Sequence, residues 1–278
     1  MDTEFSNVFD FTGKVMVITG GAGVLCSQIG RILFNCGANI VYLDLNQDLA
    51  EKQVNSLSKN GKPNKARAIH CNVLEIQSVQ DAIAQVLTEF GHIDGLINGA
   101  GGNNPAATTN EKQVFFSLPV EAFKSVFDLN FTGTVIPSQV IGDVMAKQKQ
   151  GVILNISSMN AFRPLTRIPA YSAAKAAINN FTQWLAVHMA QEYSPVIRVN
   201  AIAPGFFLTE QNRFLLTDQE TGELSERGRT IIEHTPMGRF GDPQDLVGTA
   251  LWLLSPASEF VTGVVVPVDG GFSAFSGV

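Results

Sequence analysis

Cysteine, charge and long apolar runs are all scarce in this chain, and each shortage closes off a class of protein. The three cysteines, Cys26, Cys36 and Cys71, are odd in number and stand at no metal-ligand spacing. Neither a disulfide-stapled scaffold nor a zinc site is expected, and the thiols read as buried groups in a reducing compartment. Charged residues make up only 16% of the chain, the net charge is −6, and the basic residues are scattered. A nucleic-acid-binding surface needs the opposite pattern. No apolar stretch approaches the roughly 20 residues of a membrane-spanning helix. The acidic start Met1-Asp2-Thr3-Glu4-Phe5 lacks the basic-then-apolar order of a secretory signal. The expectation is a cytoplasmic protein with neither a nucleic-acid nor a membrane partner. His70, His92, His188 and His234 share no ligand spacing, so no metal is expected.

What the chain does have is a regular alternation. Short, β-branched apolar runs at 14–19, 39–44, 66–71, 93–98, 151–157, 197–203 and 264–268 read as strands buried on both faces. Between them, stretches such as 74–90 and 171–191 carry helical periodicity. This alternation predicts an α/β fold in one domain over 1–278, a doubly wound parallel seven-stranded sheet with helices on both faces, of the Rossmann type. Two segments break the rhythm: 101–119, containing Gly-Gly-Asn-Asn-Pro, and 206–236. Both leave from the carboxyl edge of the predicted sheet, where ligands bind in such folds. The second is expected to be a substrate lid, against the plainer reading of a surface loop.

Candidate site residues cluster at that same edge. Thr19-Gly20-Gly21-Ala22-Gly23 follows the first strand and opens a helix, which allows a pyrophosphate to approach free backbone N–H groups. Asp44 ends the second strand, where a carboxylate can hold both ribose hydroxyls and repel a 2′-phosphate. With no Arg or Lys in Leu45-Asn46-Gln47, NAD(H) is expected in preference to NADP(H). Asp44 could instead cap the helix starting near Gln47, as could Asn46. Tyr171 and Lys175 stand four apart, hence on one helix face. A cation beside a phenol stabilises the phenolate needed for proton transfer. Ser158, at the end of the fifth strand, offers a hydroxyl to the same substrate oxygen.

With these residues in hand the chain resembles the classical short-chain dehydrogenase/reductase family over essentially its whole length. The resemblance extends to Asn98-Gly99-Ala100-Gly101, Leu129-Asn130-Phe131-Thr132-Gly133 and Asn200-Ala201-Ile202-Ala203-Pro204-Gly205. It implies catalytic roles for Asn130, Ser158, Tyr171 and Lys175, with Asn130 holding a water that joins Lys175 to solvent. It further implies a cofactor site built from Gly20, Gly23, Leu25, Asp44, Asn72, Val73, Asn98, Gly99, Ala100, Tyr171, Lys175, Pro204, Gly205 and Thr209, and a homotetrameric assembly. There are departures from the family pattern. Val24 and Cys26 occupy positions where the family's turn carries glycine, Gly99 replaces a second asparagine, and Asn72 stands where aspartate is usual.

Longer segments, among them TGGAGVLCSQIG, SSMNAFRPLTRIPAYSAAKAA and VPVDGGFSAFSGV, are similar to the D-mannonate oxidoreductase (fructuronate reductase) branch. That implies reduction of D-fructuronate to D-mannonate with NADH. A sugar-acid substrate needs a cation for its carboxylate and amide or hydroxyl partners for its hydroxyls. The candidates are Asn103, Asn104, Asn160, Arg163, Arg167, Gln211, Asn212 and Arg213, although any single arginine is more often a solvated ion pair. Two alternatives stay open: another polyol or keto-sugar-acid dehydrogenase, such as a gluconate 5-dehydrogenase-like enzyme, and a catalytically silent NAD-binding scaffold.

Overall fold

The apolar runs become seven parallel strands: β1 (Val15–Thr19), β2 (Asn39–Asp44), β3 (Ala66–His70), β4 (Gly95–Asn98), β5 (Gly151–Ile156), β6 (Ile197–Pro204) and β7 (Val265–Val268). They pair in the order β3-β2-β1-β4-β5-β6-β7, the doubly wound topology expected of the alternation. The computed structural model describes residues 8–58, 63–208, 213–218 and 221–277. Strand β4 starts later than the apolar run suggests. Ile93 and Asp94 precede it, and the Asp94 carboxylate accepts the Val15 N–H at 2.9 Å and pairs with Lys14 at 3.1 Å.

Helices cover both faces, so each face buries its own core. On one side, α1 (Val24–Asn35) turns Cys26, Ile29 and Leu33 onto the sheet, beside Tyr42 of β2 and Leu253 of α9 (Val247–Leu254). That spacing keeps one helical stripe against the strands. On the other side lie α3 (Ile76–Phe90), α5 (Gly133–Gln148) and α6 (Pro169–His188), with Val79, Ile83, Ile141, Met145 and Leu185 packed on Val17, Leu96 and Ile153. Helix α2 (Gln47–Ser58) packs against β2 and β3.

Helix α4 (Val120–Phe127) runs into α5 through a π-helical turn at Asp128–Thr132. An extra residue in such a turn redirects the side chains around it, and these turns are frequent at functional sites. The segment 206–236 contains α7 (Arg213–Leu216) and α8 (Glu226–Glu233), tied by a bridge between Thr217 and Leu224. The segment 101–119 contains single 3₁₀ turns at Pro105–Ala107 and Phe115–Ser117 and is anchored where the Thr109 N–H bonds the Arg167 carbonyl at 2.9 Å. Strand order reverses between β1 and β4, so their carboxyl ends open the crevice in which such sheets bind ligands.

Candidate active site

The turn after β1 packs tightly against the exit of β4. Gly20 adopts φ +62°, and a Cβ there would lie 2.8 Å from the Ala100 backbone. The Thr19 hydroxyl accepts the Gly99 and Ala100 N–H groups at 3.1 and 3.3 Å. Gly23 precedes α1 without a side-chain cap, and no acidic residue occupies the first turn, which includes Leu25. An uncapped helix start of this kind leaves N–H groups for an anion. Asp44 bonds the Ala22 N–H at 3.0 Å and the Asn46 N–H at 2.9 Å. Asn46 caps α2 by accepting from Leu49 at 3.0 Å, so the aspartate is not the helix cap. Its oxygens retain acceptor capacity. The donor set therefore fits the pyrophosphate and ribose hydroxyls of a dinucleotide.

Other expected cofactor residues fall in different places. Val73 is buried beside Gly133. Asn72 bonds the Leu74 N–H and the Glu75 carboxylate, so its amide is engaged in its own turn. Asn98 turns its side chain into the protein interior, where Nδ2 donates to Ser138 Oγ and Asn155 Oδ1, both at 2.9 Å. Any approach of a ligand here is to the following backbone, Gly99 and Ala100. Pro204 ends β6, and Gly205 lies so close to Asp269 that a Cβ would meet it at 2.6 Å. Thr209, Gln211 and Asn212 lie outside the described residues.

At the β5 end the predicted side chains converge. Ser158 starts the turn Met159–Ala161, and its hydroxyl is hydrogen-bonded with Tyr171. Lys175, one turn along α6, places Nζ 5.5 Å from the Tyr171 ring centre and donates to the Ile156 carbonyl at 2.8 Å. The lysine is only 4% exposed, and burial pulls its ammonium down to a pKa of about 8. Burial also raises the Tyr171 phenol above its ordinary value, with the Ser158 hydrogen bond pulling the other way. A phenol of raised pKa is held in its acid form, ready to donate a proton. Asn130 sits on the π-helical turn. Its amide donates to the Gly102 and Val126 carbonyls at 2.7 and 2.8 Å and accepts the Gly102 N–H at 3.2 Å. A Cβ on Gly101 would stand 2.6 Å from Asn130 Oδ1 and 3.4 Å from Lys175 Nζ. Asn130 and Lys175 therefore flank the same glycine.

The candidate substrate residues divide. Asn160 is 6% exposed, and its Oδ1 meets no donor among the described residues. It follows Ser158 by two positions, with its N–H on the Ser158 hydroxyl at 3.3 Å. Asn103 and Asn104 are used within their own loop, bonding Thr108 and capping the turn at Pro105. Arg163 reaches the Ser273 carbonyl at 3.2 Å. Arg213 is exposed on α7. Arg167 is exposed, and so is Arg227 of α8, a residue that sequence reasoning did not single out. Partial desolvation and then the like charge of Arg167 hold the Arg227 guanidinium below its ordinary pKa. Neither arginine has a carboxylate partner among the described residues. Nor do those residues contain a cluster able to hold a metal ion, or a helix long and apolar enough to cross a membrane.

Comparison with known proteins places this arrangement in a family. A family model described as enoyl-(acyl carrier protein) reductase matches residues 23–273. The chain is 48% identical to UxuB of Bacillus subtilis, an uncharacterised oxidoreductase, covering 97% of this chain and 98% of that one. It is 33% identical to the 5-keto-D-gluconate 5-reductase of Escherichia coli, covering 96% and 98% respectively. Among solved structures, a candidate D-mannonate oxidoreductase from Haemophilus influenzae with bound NAD superposes with a TM-score of 0.90 at 48% identity, over 99% of this chain and 100% of the other. On fold, site geometry and full-length similarity together, the chain belongs to the short-chain dehydrogenase/reductase family of oxidoreductases.

Proposed function

We propose that the protein is an NAD(H)-dependent oxidoreductase that interconverts D-fructuronate and D-mannonate. The observation that carries this reading is its 48% identity over nearly the whole chain to the NAD-bound candidate D-mannonate oxidoreductase. NADH supplies the hydride when bound. Tyr171 gives its proton to the substrate oxygen as the carbonyl becomes an alcohol, while Ser158 hydrogen-bonds the same oxygen. Lys175, with protons to spare beyond its bond to Ile156, holds the nicotinamide ribose and keeps positive charge beside the phenol. Asn130 shapes the path by which that proton is replaced. Asp44 binds the adenosine ribose and disfavours a 2′-phosphate.

On the substrate side, Arg167 and Arg227 are the groups proposed for the carboxylate. Two guanidinium groups that feel each other's charge, neither with a carboxylate partner among the described residues, are suited to an anion. The Asn160 carbonyl accepts from a sugar hydroxyl. The segment 206–236, which carries Arg227, acts as the substrate lid, and the protein works as a homotetramer in the cytoplasm. A second reading, reduction of a different keto-sugar acid, draws on the 5-keto-D-gluconate 5-reductase relative. A silent scaffold is the weaker alternative, since it has no use for the Ser158–Tyr171–Lys175 arrangement.

The test is oxidation of NADH, followed by its absorbance, with D-fructuronate beside 5-keto-D-gluconate and other keto acids, and with NADPH in parallel. Selective turnover of fructuronate with NADH is expected, lost on the order of 10³-fold in Tyr171→Phe while NADH still binds. Preference for another keto acid would discard the substrate and keep the mechanism. An active Tyr171→Phe variant would discard the mechanism.

A further inference from the structure

Two departures from the family pattern, Cys26 and Gly99, stand 73 positions apart in the sequence and touch in the fold. A Cβ built on Gly99 would overlap the Cys26 sulfur outright and would lie 2.9 Å from the Thr19 carbonyl oxygen. Cys26, in the first turn of α1, is 4% exposed, so its thiol fills the space that any side chain at position 99 would need. From Gly99 the chain passes directly into the catalytic cluster. Gly99 and Ala100 are bonded to the Thr19 hydroxyl, Gly101 packs against Asn130 and Lys175, and Gly102 exchanges hydrogen bonds with Asn130.

We infer that Cys26 and Gly99 are a matched positioning pair: the thiol replaces the missing side chain as the spacer between the α1 entry and the β4 exit. The pair thereby sets the cleft width and the placement of Asn130. The inference rests on the proposed binding of a nicotinamide dinucleotide at the turn after β1, but its geometric part stands without it. Packing at native density leaves no slack for an added methyl at this contact. A side chain at 99 must therefore push residues 99–102 away from α1 and carry Asn130 with them. Removing the thiol as well relieves the overlap with sulfur, and the 2.9 Å approach to the Thr19 carbonyl that remains has to be taken up by a small shift of the backbone between β1 and β4.

The experiment is a double-mutant cycle of Cys26→Gly, Gly99→Ala and the Cys26→Gly/Gly99→Ala combination. It reads NADH affinity by fluorescence, kcat, and the thermal midpoint of the cofactor-free protein. Gly99→Ala is expected to weaken NADH binding by roughly 10-fold or more, to lower kcat, and to reduce the midpoint by about 5 °C. The double variant is expected to return to within about 3-fold of Cys26→Gly in both functional readouts, the non-additivity that marks residues in contact. Effects that simply add, or a Gly99→Ala variant that behaves like the parent, would overturn the pairing. If Gly99→Ala does not fold, the double variant still decides, since its failure to fold and bind would be equally fatal. Should the parent itself fail to bind NADH, the proposed function falls. The midpoint cycle of the cofactor-free protein then judges the pair alone.

Discussion

Lys175 is where packing and chemistry pull in opposite directions. Its ammonium is buried, accepts no ion pair among the described residues, and has a pKa brought down from 10.5 to about 8. In the unfolded chain the lysine keeps its ordinary value. The folded state therefore binds fewer protons between about pH 8 and 10.5, and holding the charged form inside costs on the order of 3 kcal/mol below that window. The cost is fully present below pH 8 and disappears as pH rises through 10.5. Lys175→Met is accordingly expected to unfold no earlier than the parent at pH 7 and to lose nearly all turnover. The parent should gain stability relative to the variant as pH rises from about 8 to 10.5. Urea unfolding of both proteins across that range checks it, and a pH-independent gap would contradict it. The same burial makes Cys26, whose thiol is pushed up to about 12, a spacer and not a nucleophile.

At the scale of elements, buried polar side chains hold the edge of the sheet in place. Asn98, Asn155 and Thr182 form a ladder across β4, β5 and α6 at 2.9 Å per step. From Asn98 it branches through Ser138 to the Thr134 carbonyl, and the Thr134 hydroxyl bonds the Asn130 carbonyl at 2.8 Å. The π-helical turn that carries Asn130 is thus tied to the sheet by hydrogen bonds and not by shape alone. On the far side, Arg198 of β6 is 6% exposed and donates to the Leu253 and Ser255 carbonyls and to Ser258 Oγ at 2.8–3.1 Å. It thereby satisfies the carboxyl end of α9, whose last carbonyls have no partner within the helix. Arg198→Leu removes the donor to the Leu253 carbonyl, while the Ser255 carbonyl keeps the Ser258 N–H and hydroxyl at 3.3 and 3.2 Å. The expected loss is about 2–4 kcal/mol, read as a lower urea midpoint with little change in Michaelis constants.

For the molecule as a whole, the informative surface lies on α6 and just beyond it. Trp184, Val187, Tyr193 and Val196 are all more than two-fifths exposed. Trp184 also stacks in a continuous row with Phe181 and His188. A separate groove between α3 and α5 mixes apolar Ile76, Leu87, Val140 and Val144 with Gln80, Gln139, Asp143 and Lys147. The exposed aromatic row on α6 is suited to association, and the proposed homotetramer would bury it against a second copy. Light scattering should then return about four times the 29.9 kDa chain mass. Trp184→Glu should reduce that mass, since a charge desolvated at an interface has no partner. A monomeric parent protein would end the proposal of a tetramer.

The sequence by itself determined the strands, the parallel order of winding and the convergence of Ser158, Tyr171 and Lys175. Continuous β-branched apolar runs, period-3.6 patterns and an i, i+4 spacing are local properties that survive without knowledge of the fold. The choice of Asn46 over Asp44 as the α2 cap, the inward turn of Asn98 and the π-helical turn under Asn130 were decided only by tertiary structure. Each depends on which distant segment occupies the space beside it. Cys26 and Gly99 make the distinction clearest: singly they read as two lapses from a family motif, and only the closing of β4 against α1 makes them complementary.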